Sequence, residues 1–151
     1  MIIVDLDGTV SNCEHRLKHI QGENKDWDTF FKECINDTPI EKIVDLVRNI
    51  TINMGKISLF LTGRSDIARK ETKDWISATF PEFLEGVDYH LVMRPQGNHA
   101  PDHELKPKML EDFLKTFPHL EVDMIFEDRT SVVKKWRELG YTCLQVADGD
   151  F

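Results

Sequence analysis

The sequence predicts an α/β fold: a five-stranded parallel sheet with helices on both faces. Three observations predict it. Five short runs rich in aliphatic and β-branched residues alternate with segments of helical spacing. Several of these runs are apolar throughout, the pattern of strands covered on both faces. The runs end in turns carrying carboxylates, hydroxyls and glycines, where open parallel sheets bind their ligands.

The elements follow in order. Residues 1–5, "MIIVD", form a continuous apolar strand that stops at Asp5. Residues 11–37 are mixed, with two weak helical pieces. Asp26 caps the second, which carries Trp27, Phe30, Phe31 and Cys34 or Ile35 at helical spacing. Its aromatics fit core packing or a surface that stacks a nucleobase. Thr38-Pro39 starts a clearer helix, with Pro39 in the first helical position and Ile40, Ile43, Val44, Val47 and Ile50 on one face.

Gly55 ends that helix, and "KISLFLT", 56–62, is the second strand. Ser65-Asp66 leads a helix holding Ile67, Trp75 and Ile76 before Pro81. "YHLVMR", 89–94, is the third strand, and a polar loop follows it. Met109, Leu110, Phe113, Leu114 and Phe117 make the next amphipathic helix. "VDMIF", 122–126, is the fourth strand. Residues 130–139 are helical up to Gly140, and "TCLQVA", 142–147, is the fifth strand.

Composition narrows the class. The 151 residues suit one domain with its own core, so 1–151 is expected to be a single unit. Hydrophobic residues at 40% and charged residues at 30% are a globular balance. No apolar run approaches the ~20 residues of a membrane helix, and no leader precedes Asp5, so a cytoplasmic location is expected. The scattered Cys13, Cys34 and Cys143 suit reduced thiols, and the lack of Cys-x-x-Cys argues against structural zinc. His15 and His19 stand four apart without an acid between them, a spacing chance explains better than a metal. A net charge of −8 repels an extended nucleic-acid backbone but permits a small basic pocket for one phosphate.

The polar residues fall at strand ends. Strand one runs into Asp5-Leu6-Asp7-Gly8-Thr9, strand two into Thr62-Gly63-Arg64, and strand four into Glu127-Asp128-Arg129. Lys106 precedes the helix leading into strand four, and Pro107 is expected in that helix's first position, which holds Lys106 at the entry. If strand one lies between strands two and four, all these groups meet at one edge. Each motif alone has a bland reading: a solvated turn, a strand-to-helix glycine, an acid near a helix start, a surface lysine. Their joint placement is the signal. Crowded carboxylates need a cation, and oxygen-only ligands favour a hard one, Mg2+. Lys106 and Arg64 suit an anionic substrate.

These residues resemble a known superfamily. Asp5-Leu6-Asp7-Gly8-Thr9-Val10, Thr62, Lys106 and Glu127-Asp128 are similar to the four motifs of the haloacid dehalogenase phosphotransferases. More closely, the chain resembles the 3′-phosphatase domain of phage polynucleotide kinase and its stand-alone relatives. "EDRTSVVKKWRELGYTCLQVADGDF" carries most of that likeness. Thr62-Gly63-Arg64 resembles the family's Ser-Gly-Arg, Arg16 stands where it has a phosphate-contacting arginine, and Asp102 with Lys106 matches its Asp-x-x-x-Lys. Glu127 departs from the family's aspartate, and no kinase-type Gly-x-x-x-x-Gly-Lys-Ser/Thr loop occurs.

The resemblance implies a Rossmannoid three-layer sandwich with a small cap, 11–37, inserted after strand one. It implies a Mg2+-dependent phosphomonoesterase working through an aspartyl-phosphate, with 3′-phosphorylated polynucleotide ends as substrate. Asp5, Asp7, Thr62 and Lys106 would be catalytic. Asp5, Asp7 (through its backbone carbonyl), Asp128 and Glu127 would hold the metal, and Arg16, Gly63, Arg64, Asp102 and Arg129 the substrate. A kinase or ligase is the implied working partner. Two other readings stay open: a nucleotidase acting on free 5′ or 3′ mononucleotides, favoured by the acidic charge, and a binding module without turnover.

Overall fold

The structure, a computed structural model, describes residues 1–149. Asp150 and Phe151, the end of the family-like tail, lie outside the described residues. The strands are β1 (Ile2–Val4), β2 (Ser11–Asn12), β3 (Thr38–Pro39), β4 (Ser58–Ser65), β5 (Tyr89–Arg94), β6 (Met124–Arg129) and β7 (Cys143–Gly149). The α-helices are α1 (Trp27–Lys32), α2 (Glu41–Arg48), α3 (Arg69–Thr79), α4 (Asp102–Thr116) and α5 (Thr130–Glu138).

Five strands pair in the order β5-β4-β1-β6-β7. β1 lies between β4 and β6, parallel to both, with Ile3 opposite Leu59 on one side and Ile125 on the other. Its side chains alternate between two cores. Ile2 and Val4 pack with Val44, Val47, Trp75 and Ile76 from α2 and α3. Ile3 packs with Leu105, Met109 and Leu110 of α4 and Val132, Val133 and Trp136 of α5. This is the three-layer architecture expected of strands apolar on both faces. Full burial of each such aliphatic contributes roughly 1.5–3 kcal/mol, so β1 is anchored from both sides. None of the described helices is long and apolar enough to cross a membrane.

Residues 11–39 make an excursion after β1. They comprise β2, a 3-10 helix at Glu14–His19, α1, a second 3-10 helix at Glu33–Asn36, and β3, which returns antiparallel to β2. Asp26 caps α1 by accepting from the Thr29 N–H at 3.0 Å. The Trp75 indole N–H, donating to the Asp37 carbonyl at 2.8 Å, ties the excursion to α3.

Four local expectations are corrected. Thr38-Pro39 does not open a helix. It forms β3, and α2 starts at Glu41; a residue before proline is pushed to extended backbone, and Ile40 donates to the Val10 carbonyl at 2.8 Å. Lys106 is not at a helix entry. α4 starts five residues earlier than Pro107, at Asp102, with Pro101 as N-cap, so Lys106-Pro107 lies just past its first turn. Asp102 and Glu104 in that first turn complement the helix dipole.

The other two corrections concern strand ends. β4 runs on through Thr62-Gly63-Arg64 to Ser65, with a register shift against β5. β6 likewise runs through Glu127-Asp128 to Arg129, with a shift against β7. Both polar tripeptides are irregular strand segments, where a local break in pairing re-aims side chains.

Candidate active site

The turn after β1 is built by glycine. Gly8 has φ of 82°, a conformation that side-chain-bearing residues rarely adopt, and its N–H bonds the Ser11 carbonyl at 2.8 Å. Val10 and Ser11 both donate back to the Leu6 carbonyl, at 3.0 and 2.9 Å. The turn leaves Asp5 and Asp7 in two different environments.

Asp5 enters a buried ionic cluster. The Lys106 ammonium donates to Asp5 Oδ1 at 2.6 Å and to Glu127 Oε2 at 2.7 Å. Lys106 reaches them because it shares the buried face of α4 with Leu105, Met109 and Leu110. Carboxylate oxygens of Asp5, Glu127 and Asp128 all lie within 4.8 Å of one another. Burial, reinforced by the Glu127 charge, raises Asp5 to about 7 against the pull of Lys106. Burial and then Asp5 raise Asp128 to about 6. Glu127 is also raised, by burial. Lys106 goes the other way: burial would lower it, but the two carboxylates hold it firmly protonated. One ammonium thus faces three carboxylates. Gly149 makes room for this arrangement, since a Cβ there would stand 2.0 Å from Asp128 Oδ2.

Asp7 enters a second cluster. Arg16 and Arg64 both donate to its Oδ1, Arg64 Nε at 2.8 Å. Behind it lies Asp37, which accepts from Arg16 Nε and Nη2 at 2.8 Å each and from Arg64 Nη2 at 2.9 Å. His15 and Ser11 complete the shell of Asp37. Burial alone would raise Asp7; the Arg64 and Arg16 guanidiniums outweigh it and hold Asp7 below the usual carboxylate range. His19 pairs with Glu33 at 2.9 Å, so the two histidines singled out by spacing serve two separate carboxylates.

Both clusters open into one pocket of about 460 Å³. Asp5, Asp7, Thr62, Gly63, Arg64, Asp102, Lys106, Glu127, Asp128 and Arg129 line it. Arg16 does not: its side chain is wholly buried behind Asp7. Thr62 is buried, and its Oγ1 accepts from the Arg64 N–H at 3.2 Å. Asp102 accepts from Arg129 at 2.7 Å and from Arg94. A Cβ on Gly63 would stand 2.5 Å from Asp102 Oδ1, so this glycine permits the close approach.

Sequence reasoning missed Asp37 and Arg94. Arg94 also donates to the Gly63, Asn98 and Ala100 carbonyls at 2.9, 2.9 and 2.7 Å, which fixes the loop after β5 against β4. Its place at the end of a predicted strand was the available signal. Asp37 had none, since it lies in the irregular segment before Pro39.

A family model described as the polynucleotide kinase PNKP phosphatase domain matches residues 1–151. The chain belongs to that family. It is a haloacid dehalogenase-type phosphatase, a phosphoric monoester hydrolase. This phosphatase domain is 26% identical over 138 residues to the "Putative bifunctional polynucleotide kinase/RNA ligase" of Autographa californica nuclear polyhedrosis virus, covering 91% of the present chain and 18% of the viral one. It superposes with TM-score 0.77 and 26% identity on a chain of the Pnkp1/Rnl/Hen1 RNA repair complex, covering 99% of the present chain and 43% of that one. A haloacid dehalogenase-like hydrolase from Streptococcus pneumoniae shares the fold at TM-score 0.58 and 15% identity, with 95% and 82% covered. The chain spans about a fifth of the viral relative and under half of the repair-complex chain. Phosphatases of this superfamily generally use Mg2+, and a buried acidic cluster is present.

Proposed function

We propose that the domain is a Mg2+-dependent phosphomonoesterase that removes 3′-phosphates from polynucleotide ends through an aspartyl-phosphate. The observation that carries this reading is the buried Asp5–Lys106–Glu127–Asp128 constellation at the floor of a pocket, in a chain matched over its whole length by the family model.

The donor set fits the ion. It is all oxygen, buried, and short of positive charge, which suits a hard divalent cation. Asp5, Asp128 and the Asp7 backbone carbonyl would hold it, with Glu127 beside them. When bound, Mg2+ neutralises charge on the phosphoryl oxygens.

The chain's own residues then divide the work. An Asp5 oxygen attacks phosphorus as the bond to the sugar oxygen breaks. Asp7, protonated, gives its proton to that leaving oxygen and takes one back from the water that cleaves the aspartyl-phosphate. In the free protein Arg16 and Arg64 keep Asp7 ionised, so Asp7 must gain a proton before the first step. Thr62 and Lys106 donate to the phosphoryl oxygens. Buried behind Asp7, Arg16 acts by orienting that carboxylate, and Arg64 does so while also facing the pocket. Asp102 and Arg129 meet the substrate on the wall formed by the ends of β4 and β6.

The reading extends to the whole chain. Residues 1–151 work as one phosphatase domain with 11–37 as a small cap. Three buried free thiols suit the cytoplasm, and a kinase or ligase is the functional partner, as the names of the relatives support. The net charge of −8 favours a second reading, hydrolysis of free mononucleotides.

Steady-state rates on a nucleoside 3′-monophosphate, a 5′-monophosphate and a 3′-phosphorylated oligonucleotide, with and without a chelator, test this. The oligonucleotide is expected to turn over fastest, only with Mg2+, and with rates that fall as salt rises. Faster turnover of either mononucleotide gives the second reading, and turnover in chelator removes the metal.

A further inference from the structure

The pocket has one wall that phosphoryl transfer leaves unused. Beside the ionic floor it is lined by Ile20, Trp27, Asp28, Phe30 and Phe31. The three rings are not equivalent. Phe30 is core: it is buried, with the Arg16 guanidinium carbon 4.4 Å from its ring centroid. Trp27 is 45% exposed, although it lines a pocket and starts a helix whose next aromatic is fully packed. Its ring is nonetheless held. It stacks on Phe31 at 5.8 Å between centroids with 29° between planes, and meets the edge of Phe30 at 5.8 Å and 85°.

Packing on Phe30 and Phe31 uses one side of the indole and leaves 45% of the residue open to the pocket side. Its setting matches a different need. A substrate whose phosphate sits at Asp5 has a nucleoside attached, and that nucleoside needs a surface of its own beside the ionic floor. Base stacking supplies affinity without charge and without sequence preference, because every base presents a π-face.

We infer that Trp27, backed by Phe31, is a stacking platform for the base of the nucleotide whose phosphate is removed. The ligand class is a nucleoside monophosphate unit, free or at a strand end. The inference rests on the phosphatase reading for where the phosphate lies.

Trp75 and Trp136 are buried, so of the three tryptophans Trp27 alone is open to a quencher. An Asp5→Asn protein, which cannot form the covalent intermediate, is titrated with a nucleoside 3′-monophosphate while tryptophan emission is read, with ribose phosphate as the base-free control. Saturable quenching by the nucleotide and none by ribose phosphate is expected. In the parent protein, Trp27→Ala is expected to lower the ratio of kcat/KM on nucleotide to kcat/KM on ribose phosphate about tenfold, and Trp27→Phe to restore most of it. The same ratio measured with a 3′-phosphorylated oligonucleotide tells a strand end from a free nucleotide. An unchanged ratio in Trp27→Ala, or equal quenching by both ligands, overturns the platform. Quenching without turnover in the parent protein would leave the platform standing and sink the phosphatase reading; turnover without quenching does the reverse.

Discussion

Asp5 and Asp7 are two residues apart, yet they belong to buried ionic clusters of opposite character. Around Asp7, two carboxylates meet two guanidiniums, each guanidinium bonding both carboxylates. Around Asp5, one ammonium bonds two carboxylates, and a third lies within 4.8 Å of both. The contrast shows in their protonation: Asp7 sits below the usual carboxylate range, while Asp5 rises to about 7 and Asp128 to about 6. In the balanced cluster, Asp37 and Arg16 form a buried support behind Asp7, held by pairs that are costly to break. The unbalanced one is under electrostatic strain that a divalent cation would relieve. One turn therefore presents a carboxylate held ionised by two guanidiniums and another whose ionised form is disfavoured.

Four predictions test that difference, from the largest effect down. If Asp5 is the proposed covalent nucleophile, Asp5→Asn is expected to lower kcat by about 10³-fold or more. The same change takes one charge from the crowded cluster. A raised carboxylate pKa means the fold disfavours the ionised form, so the metal-free Asp5→Asn protein should melt no lower than the parent at neutral pH. A clear drop in its melting temperature would mean the cluster is not overcharged.

Asp37→Asn is the converse. It leaves two buried guanidiniums on one carboxylate and is expected to cost about 3 kcal/mol in urea unfolding, the usual penalty for breaking a buried pair. A loss below about 1 kcal/mol would show that solvent reaches this cluster.

Adding Mg2+ at about 100 times its dissociation constant should stabilise the parent protein by about 2.7 kcal/mol, as any ligand bound only by the folded state does. A chelator should reverse the gain and Asp128→Asn should abolish it, whereas a gain kept by that variant would move the ion elsewhere. Gly149→Ala is the mildest probe. Its Cβ would overlap Asp128, which is expected to cost about 1–3 kcal/mol and to weaken the Mg2+ response, as differential scanning fluorimetry would read.

Much of this molecule was legible beforehand, and the exceptions share a cause. The strands at 1–5 and 89–94 were read almost to the residue: "IIV" is a continuous apolar run buried on both faces, and "YHLVMR" is an edge strand whose burial alternates. The polar ends of β4 and β6 were cut short because hydrophobicity stops at Leu61 and Phe126, whereas pairing continues past them with shifted register. Lys106 was found from its place ahead of the helix leading into strand four and from its likeness to a family motif, yet assigned to a helix entry, since a proline reads locally as a start even where a helix already runs. Trp27 and Phe30 looked alike at helical spacing, and only the fold made one core and the other wall.

Composition and order along the chain were thus enough to name the layers and to mark the polar strand ends, while the place of β1 between β4 and β6 stood only as a condition and the expected chemistry came from the family resemblance. They could not reveal Asp37 behind Asp7, or that Glu127 and Asp5 share one lysine. Those facts are contacts between groups 21 to 101 residues apart. Local pattern carries information about which face a residue presents, but the partner met there depends on how separate elements are brought together.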